Sequence, residues 1–343
     1  MQTFATFVVQ DCKRFIMKVL VTGANGLLGH HIVFELLRRK HQVVIIVRSK
    51  RNIHFDLNSV EVHTGNFTDY ERLTLAAQSC DAIIHTAAVT ANNLLHYEDY
   101  QKINSVGASF IVKVADALNI QNIVFVSTAN TIGFGERNHL ADETFPICFP
   151  FSNSFYAQSK VEAEQIFINA AATTGKHIVI VNPSFMIGAF DPKPSSGVLM
   201  LRGYKKRVLF VPRGGKNFVP VIDVADVVCN AVTQGRSGER YLASGVDLSF
   251  REFYDLQKQI GNYKQLVIQI PDFFLEVLGR VGNLIRKYGI KTEICSMNLN
   301  QLMIREYYSN AKAQNELGLN PTSLENAIKE ALEWFISHGM IKK

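Results

Sequence analysis

Two side chains at helical spacing could exchange a proton with a substrate oxygen. Tyr156 and Lys160 are four residues apart in a segment with helical periodicity, so both lie on the same face of that helix. A phenol with a pKa near ~10 is a poor acid–base catalyst at neutral pH unless a nearby cation favours the phenolate. Lys160 would supply that cation, and the hydroxyl of Thr128 could hold the same oxygen. Taken alone, the pair would equally suit an exposed helix surface.

A glycine-rich turn between a strand and a helix could bring a reactive partner to these side chains. Residues 19–21 form a short apolar run, three glycines follow at three-residue intervals, and helical periodicity begins with them. Gly23 permits a tight turn, Gly26 lets the backbone approach a pyrophosphate, and Gly29 lets the helix pack on the strand. Because the first helical turn also offers unpaired N–H groups to an anion, the loop predicts a dinucleotide site. The predicted contacts are Gly23, Asn25, Gly26, Leu27, Leu28 and Gly29.

The residues after the second predicted strand indicate which dinucleotide is bound. Residues 42–47 are a nearly continuous β-branched run, typical of a strand buried on both faces. This strand ends at Arg48, at the position where an acidic residue would bind the ribose of NAD. Residues 48–51 contain three cations and no carboxylate, so NADP(H) is favoured and NAD(H) stays open.

Strands that alternate with helical segments predict an α/β fold. Further strands are expected at 60–63, 81–88, 121–127 and 177–181, and helices at 100–118 and 156–171. This alternation indicates βαβ units and a Rossmann-type, doubly wound parallel sheet. Residues 182–194 contain several breakers and are predicted to be a loop, whereas the chain from residue 250 is largely helical.

The order of these elements suggests two lobes. We expect an NAD(P)-binding Rossmann core over 17–183, to which 215–247 return. A smaller, mostly helical substrate lobe would comprise 184–214 and 248–343. Residues 1–16 precede a second methionine, Met17, and are expected to be a disordered extension or the product of an upstream start codon.

The composition excludes several other classes of protein. The formal net charge is +6, but no basic run is interleaved with aromatic residues, so no nucleic-acid partner is expected. Five scattered cysteines without CxxC spacing argue against a metal site or a disulfide framework and favour the cytoplasm. No apolar run approaches the ~20 residues that span a bilayer, and residues 273–285 are amphipathic rather than uniformly apolar.

The combination of motifs resembles the extended short-chain dehydrogenase/reductase superfamily, that is, the NAD-dependent epimerase/dehydratase family. The matching features are the glycine loop, Ser127-Thr128 at the end of a later strand, and the helix with Tyr156 and Lys160. Residues 65–69 and 315–318 match as well, and 182–194 are most similar to dihydroflavonol-4-reductase-type members. The resemblance covers residues 17–335.

This resemblance implies roles at the matching positions. Tyr156 would be the acid–base catalyst, and Lys160 would hold the nicotinamide ribose. Thr128 would occupy the position of the catalytic serine or threonine. Arg48 would face the adenosine 2′ position, and Asn66 stands where an aspartate is more usual beside the adenine. The other implied cofactor contacts are Phe67, Thr86, Ala87, Ala88, Asn104, Ser127, Pro183 and Ser184. The implied substrate contacts are Thr128, Asn130, Asn182 and Lys216. The family often dimerises through the helices that contain Tyr100 and Tyr156, which implies a homodimer.

The expected function is NADPH-dependent reduction of a small carbonyl substrate, with Tyr156 as the proton donor. A nucleotide-sugar epimerase or dehydratase is the alternative, although residues 216–220 read Lys-Asn-Phe-Val-Pro. Such enzymes usually carry an arginine at the first of these positions, and lysine lacks its bidentate fork. A non-catalytic dinucleotide sensor is a third hypothesis, but it would not need Tyr156, Lys160 and Thr128.

Overall fold

The computed structural model describes residues 16–341, which form alternating strands and helices. The strands are β1 (Lys18–Thr22), β2 (Gln42–Val47), β3 (Glu61–Thr64), β4 (Ala82–His85), β5 (Asn122–Val126), β6 (His177–Pro183), β7 (Phe185–Ile187), β8 (Val208–Val211), β9 (Gly215–Pro220), β10 (Arg240–Ala243), β11 (Val246–Ser249), β12 (Leu266–Gln269) and β13 (Arg305–Glu306). The helices are α1 (Leu27–Arg38), α2 (Tyr70–Ala77), α3 (Tyr97–Ala117), α4 (Phe155–Thr174), α5 (Gly197–Gly203), α6 (Val221–Asn230), α7 (Phe250–Ile260), α8 (Asp272–Lys287), α9 (Ser296–Met303), α10 (Ala311–Leu317) and α11 (Leu324–Ser337). Residues 1–15, most of the predicted extension, lie outside the described part.

Seven of these strands form one parallel sheet in the order β3-β2-β1-β4-β5-β6-β10. The chain runs outward from β1 to β3 and then returns to the other side of β1 at β4. In such a sheet, ligands bind in the crevice at the carboxyl ends of the two strands where the order reverses. The sheet confirms the predicted Rossmann-type α/β fold and locates its crevice beyond β1 and β4.

Both faces of this sheet are buried, which explains why its strands are continuous apolar runs. Val19 and Val21 of β1 face a core shared with α1 and α6. Leu20 of the same strand faces the opposite core, which is shared with α2, α3 and α4. The helices therefore cover the sheet on both sides and leave its carboxyl edge as the place for a ligand.

A third hydrophobic core lies outside these layers, and its members come from β7, β8, β9, α5, α7, β12 and α11. A second sheet consists of β7, β9, β11 and β13, in which β7, β11 and β13 all pair with β9. Strands β8 and β12 form a separate two-stranded sheet. The loop prediction for 182–194 is wrong at its start, because β6 continues to Pro183 and β7 pairs in parallel with β9. Of residues 215–247, α6 and β10 join the Rossmann layers, whereas β9 belongs to the second sheet. Within residues 16–341, no helix is long and apolar enough to cross a membrane.

Candidate active site

The glycine loop after β1 packs against the end of β4. Gly23 has a positive φ of 77°, a conformation that favours glycine. A Cβ there would lie 2.6 Å from Thr86 Oγ1 and 2.8 Å from the nitrogen of Ala87. At Gly29, a Cβ would lie 2.1 Å from the carbonyl oxygen of Gly23. Both glycines are therefore required by close contacts within the protein.

The start of α1 has the chemistry to hold a pyrophosphate. Gly26 is the N-cap residue, it is exposed, and no described side chain caps the helix there. The N–H groups of the first turn are consequently directed at the crevice without an intrahelical partner. Leu27 and Leu28 turn their side chains into the core, and Asn25 is partly exposed beside them. The residues present thus fit a dinucleotide cofactor.

His30, which the sequence did not single out, supports this loop from inside α1. Its Nδ1 donates to the carbonyl oxygen of Gly26 at 2.8 Å, and its Nε2 accepts from the backbone N–H of His54 at 3.3 Å. Burial lowers the pKa of His30 to about 4, so the ring is neutral near pH 7 and can make both contacts. A polar residue on the apolar face of α1 is the only sequence signal for this role.

The residues implied for the adenosine end lie beyond β2 and β3. Arg48 directly follows β2 and is exposed, as are residues 49–51. Asn66 is partly buried and accepts a hydrogen bond from the N–H of Thr68 at 3.3 Å. The Phe67 ring lies 5.1 Å from the His85 ring and also packs on Gly107, where a Cβ would come within 2.6 Å of it.

The segment after β4 is fixed from behind by Asn104. Thr86, Ala87 and Ala88 are partly exposed and follow β4 at the crevice. The Asn104 amide accepts from the N–H of Val89 at 2.8 Å and donates to the carbonyl of Val89 and to Ser159 Oγ. All these bonds lie within the protein, so Asn104 positions the loop, and its implied contact with a cofactor stays a prediction.

The structure brings Thr128, Tyr156 and Lys160 together beside the crevice. Thr128 follows β5, and α4 carries Tyr156 in its first turn and Lys160 in its second. The Thr128 hydroxyl is close enough to the Tyr156 hydroxyl to lower the pKa of the phenol. Lys160 is only 2% exposed, donates to the carbonyl of Val126 at 2.8 Å, and lies 4.0 Å from the centre of the Phe125 ring.

Burial has opposite effects on the two titratable groups of this set. It raises the pKa of Tyr156 to about 12, although the nearby Thr128 hydroxyl opposes the shift. It lowers the pKa of Lys160 to about 7, and the carboxylate of Glu164 opposes that shift. Both shifts follow from the cost of a charge in a medium of low polarity. Burial thus favours the neutral forms of both Tyr156 and Lys160.

Glu164, which sequence reasoning missed, connects the strand ends behind these residues. Its Oε1 accepts from Ser127 Oγ at 2.5 Å, from Thr131 Oγ1 at 2.7 Å and from Asn182 Nδ2 at 2.7 Å. Asn182 also donates to the carbonyl of Thr128 at 3.1 Å. Ser127 and Asn182 are thus buried in this cluster, and their implied contacts with a ligand stay predictions. The signal was the spacing of Glu164, one helical turn beyond Lys160 on the same face.

The residues implied near the substrate are divided between the crevice and the second sheet. Pro183 is buried at the end of β6, and Ser184 Oγ donates to Asn217 Oδ1 at 2.6 Å. Asn130 is partly exposed, and its N–H donates to Thr128 Oγ1 at 3.3 Å. Lys216 forms an ion pair with Glu306 in which both side chains are largely buried. Lys216 thus has a protein partner at its ammonium group, and its implied contact with a substrate stays a prediction.

A cleft of about 170 Å³ opens beside Tyr156. Its walls come from the loop after β4, from α3 and α4, and from α8 and α9. The lining residues include Leu94, Tyr100, Phe155, Asn283, Arg286 and Met297. Arg286 donates to the carbonyl of Leu94 at 2.6 Å and so ties α8 to the Rossmann side of the cleft. This cleft is the candidate substrate site.

The sequence of residues 19–243 matches the model of the NAD dependent epimerase/dehydratase family. The chain belongs to this family. The resemblance inferred from the motifs is thereby confirmed, and the protein is an NAD(P)-dependent oxidoreductase of the extended short-chain dehydrogenase/reductase type.

The alignments of this family member with individual relatives cover nearly the whole chain. A Synechocystis sp. protein named as a dihydroflavonol 4-reductase is 29% identical, with 94% of this chain and 95% of the relative covered. Sterol demethylase protein B of Methylococcus capsulatus is 25% identical, with 95% and 100% covered. The solved structure of gox2253 has a TM-score of 0.81 and 27% identity, with 94% and 99% covered.

Proposed function

We propose that this enzyme reduces a carbonyl substrate that has no diphosphate group, with NADPH as the hydride donor. The observation that carries this proposal is the ion pair between Lys216 and Glu306. The resemblance implies that nucleotide-sugar enzymes usually carry an arginine at this position for the diphosphate, whereas here a lysine is paired with a carboxylate inside the second sheet. The names of the two relatives refer to a dihydroflavonol and a sterol, and neither of these is a nucleotide sugar.

The proposed mechanism uses Tyr156, which lines the cleft, together with Thr128 and Lys160 behind it. Bound NADPH supplies the hydride. Thr128 and Tyr156 hold the substrate oxygen by hydrogen bonds from their hydroxyls, and Tyr156 transfers its phenolic proton to that oxygen. Lys160 in its cationic form favours the phenolate that remains, because opposite charges close together lower the pKa of a phenol.

Arg48 supports the preference for NADPH over NADH. It is exposed at the carboxyl end of β2, next to the crevice strand β1, and Lys50 and Arg51 follow it. No carboxylate lies within 48–51 to bind a ribose hydroxyl. A guanidinium can bind a 2′-phosphate in a bidentate manner, and this contact would be absent from NADH.

Replacing Arg48 with alanine should weaken NADPH binding about tenfold, because a charge-assisted contact of about 1.5 kcal/mol is lost. NADH binding should change less than about twofold. Titration of protein fluorescence with each dinucleotide measures both constants. Arg51→Ala is the matched control, since it removes an equally exposed guanidinium further from the strand end. Equal weakening of NADPH and NADH by Arg48→Ala would contradict the assignment.

The reaction class is tested by NADPH oxidation against a panel of ketones and aldehydes that includes sterol and dihydroflavonol ketones. Thermal shift measurements with UDP- and GDP-sugars provide the comparison arm. The proposal predicts NADPH oxidation with at least one carbonyl compound and no stabilisation by nucleotide sugars. Stabilisation by a nucleotide sugar, with no oxidation of NADPH by any carbonyl compound, would support the epimerase alternative.

A further inference from the structure

Helix α8 exposes a broad apolar stripe on the side that faces away from the protein. The apolar residues recur at intervals of three and four positions, and they are 44% to 78% exposed. The stripe comprises Phe273, Phe274, Val277, Val281, Leu284 and Tyr288. Monomeric proteins seldom expose large apolar side chains in such a continuous arrangement. The stripe therefore indicates a surface that is covered by something else.

Close contacts on the buried side of α8 fix the orientation of the helix about its own axis. The helix contacts the 294–296 segment through Gly279 and Gly282, which are buried together with Leu275. A Cβ at Gly282 would lie 1.6 Å from the carbonyl oxygen of Ile294, and one at Gly279 would lie 2.8 Å from Ser296 Cα. Since only glycine fits these contacts, the orientation of the apolar stripe towards solvent is a fixed feature of the fold.

A second apolar surface precedes α8 in the chain. Strands β8 and β12 pair so that Val208 lies beside Leu266 and Phe210 beside Ile268. These four side chains share one face of the two-stranded ribbon and are exposed, whereas Val267 on the other face is buried. Strand β12 leads into α8 through Ile270 and Pro271. The ribbon and the helix thus form two successive apolar surfaces.

The positive charge of the chain is concentrated around these surfaces. Residues 204–211 and 262–291 contain eight lysines and arginines and two carboxylates, a net charge of +6 that equals the formal net charge of the whole chain. Lys205, Lys206 and Arg207 precede β8, and Lys264 precedes β12 at the same end of the ribbon. Arg280 and Lys287 line one edge of the stripe on α8.

We propose that α8 and the β8–β12 ribbon dock on the surface of a bilayer that contains anionic lipids. An amphipathic helix with aromatic residues on one face and cations beside them suits the interface between headgroups and acyl chains. Negative headgroups complement this charge, whereas a second copy of the same surface would repel it. Because α8 also contributes Asn283 and Arg286 to the cleft, the helix that docks on the bilayer is also a wall of the cleft.

Sedimentation of the full chain with vesicles tests this proposal. One set of vesicles is pure phosphatidylcholine, and the other contains about 30% phosphatidylglycerol. Wild type should bind the anionic vesicles at least about tenfold more strongly than the neutral ones, and less so at high salt. Phe273→Gln combined with Phe274→Gln should weaken this binding about tenfold or more. The matched control is Leu75→Gln combined with Ile222→Gln, which changes equally exposed apolar residues on α2 and α6 and should bind like wild type.

Either of two outcomes would overturn the proposal. One is a vesicle result: wild type does not bind anionic vesicles, or it binds them no better than the Phe273/Phe274 variant does. The other is a dimer in sedimentation velocity that this variant converts to a monomer, since a second copy would then cover the stripe. Circular dichroism and thermal melting of the variant should match wild type, as expected for changes at exposed positions, so that lost binding reports on the surface itself.

Discussion

Replacing Tyr156 with phenylalanine is expected to lower kcat about a thousandfold, because the substrate oxygen loses its proton donor. The fold should persist, since the phenyl ring keeps the packing of Tyr156 and only the contact of its hydroxyl with Thr128 is lost. That contact contributes about 1 kcal/mol to stability. The Kd for NADPH should stay within about twofold of wild type, because the hydroxyl serves the substrate oxygen rather than the pyrophosphate. Steady-state NADPH oxidation gives kcat, and fluorescence titration gives Kd.

Tyr97→Phe provides the matched control for this experiment. Tyr97 lies in the first turn of α3, and its hydroxyl donates to Glu162 at 2.5 Å, away from the lining of the cleft. Removal of this hydroxyl should leave kcat within about twofold of wild type. If Tyr156→Phe retained most of its turnover, Tyr156 could not be the proton donor, and the proposed mechanism would be wrong.

Local spacing encodes most of what the sequence predicts correctly. The glycine loop, the β1 and β2 strands and the helix with Tyr156 and Lys160 are each defined by residues within a few positions of one another. In these cases the backbone conformation follows from the residue types themselves, as the positive φ of Gly23 illustrates. Predictions of this kind do not require knowledge of distant contacts, and the seven-stranded sheet confirms the fold that they imply.

Predictions fail where a residue's partner is far away in the sequence. β7 pairs with β9, so a segment that contains breakers becomes a strand through a contact about thirty residues further along. The partner of Lys216 is Glu306, ninety residues later, and no local pattern identifies it. Amphipathic periodicity reveals α8, but only the glycine contacts with 294–296 show that its apolar side faces outward.

Glu164 illustrates how such distant contacts assemble the candidate site. One of its two carboxylate oxygens, Oε1, accepts three hydrogen bonds. The donors are Ser127 at the end of β5, Thr131 in the turn that follows β5, and Asn182 near the end of β6. A carboxylate is an acceptor only, so it can satisfy three donors at once without presenting a donor of its own. Glu164 thereby holds Thr128 in register with Tyr156 and Lys160, and we regard it as a positioning residue.

Replacing Glu164 with alanine should lower the free energy of unfolding by about 3 kcal/mol, because three buried donors lose their acceptor. Glu162→Ala is the matched control on the same helix. Its carboxylate is only half-buried and accepts from Tyr97 and Gln101, so its loss should cost about 1 kcal/mol or less. Urea unfolding with an unchanged m value measures both effects. Similar losses in the two variants would show that the Glu164 cluster does not stabilise the site.

Glu164→Gln separates the charge of this residue from its shape. The amide keeps one acceptor oxygen for the buried donors, but it no longer raises the pKa of Lys160, which burial already lowers to about 7. The pKa of Lys160 should therefore fall further in this variant. Because turnover requires the cationic lysine, the decline of kcat with increasing pH should begin at a lower pH than in wild type. A purely structural role would lower kcat equally at every pH. The pH at which kcat begins to decline therefore distinguishes electrostatic tuning of Lys160 by Glu164 from simple support of the fold.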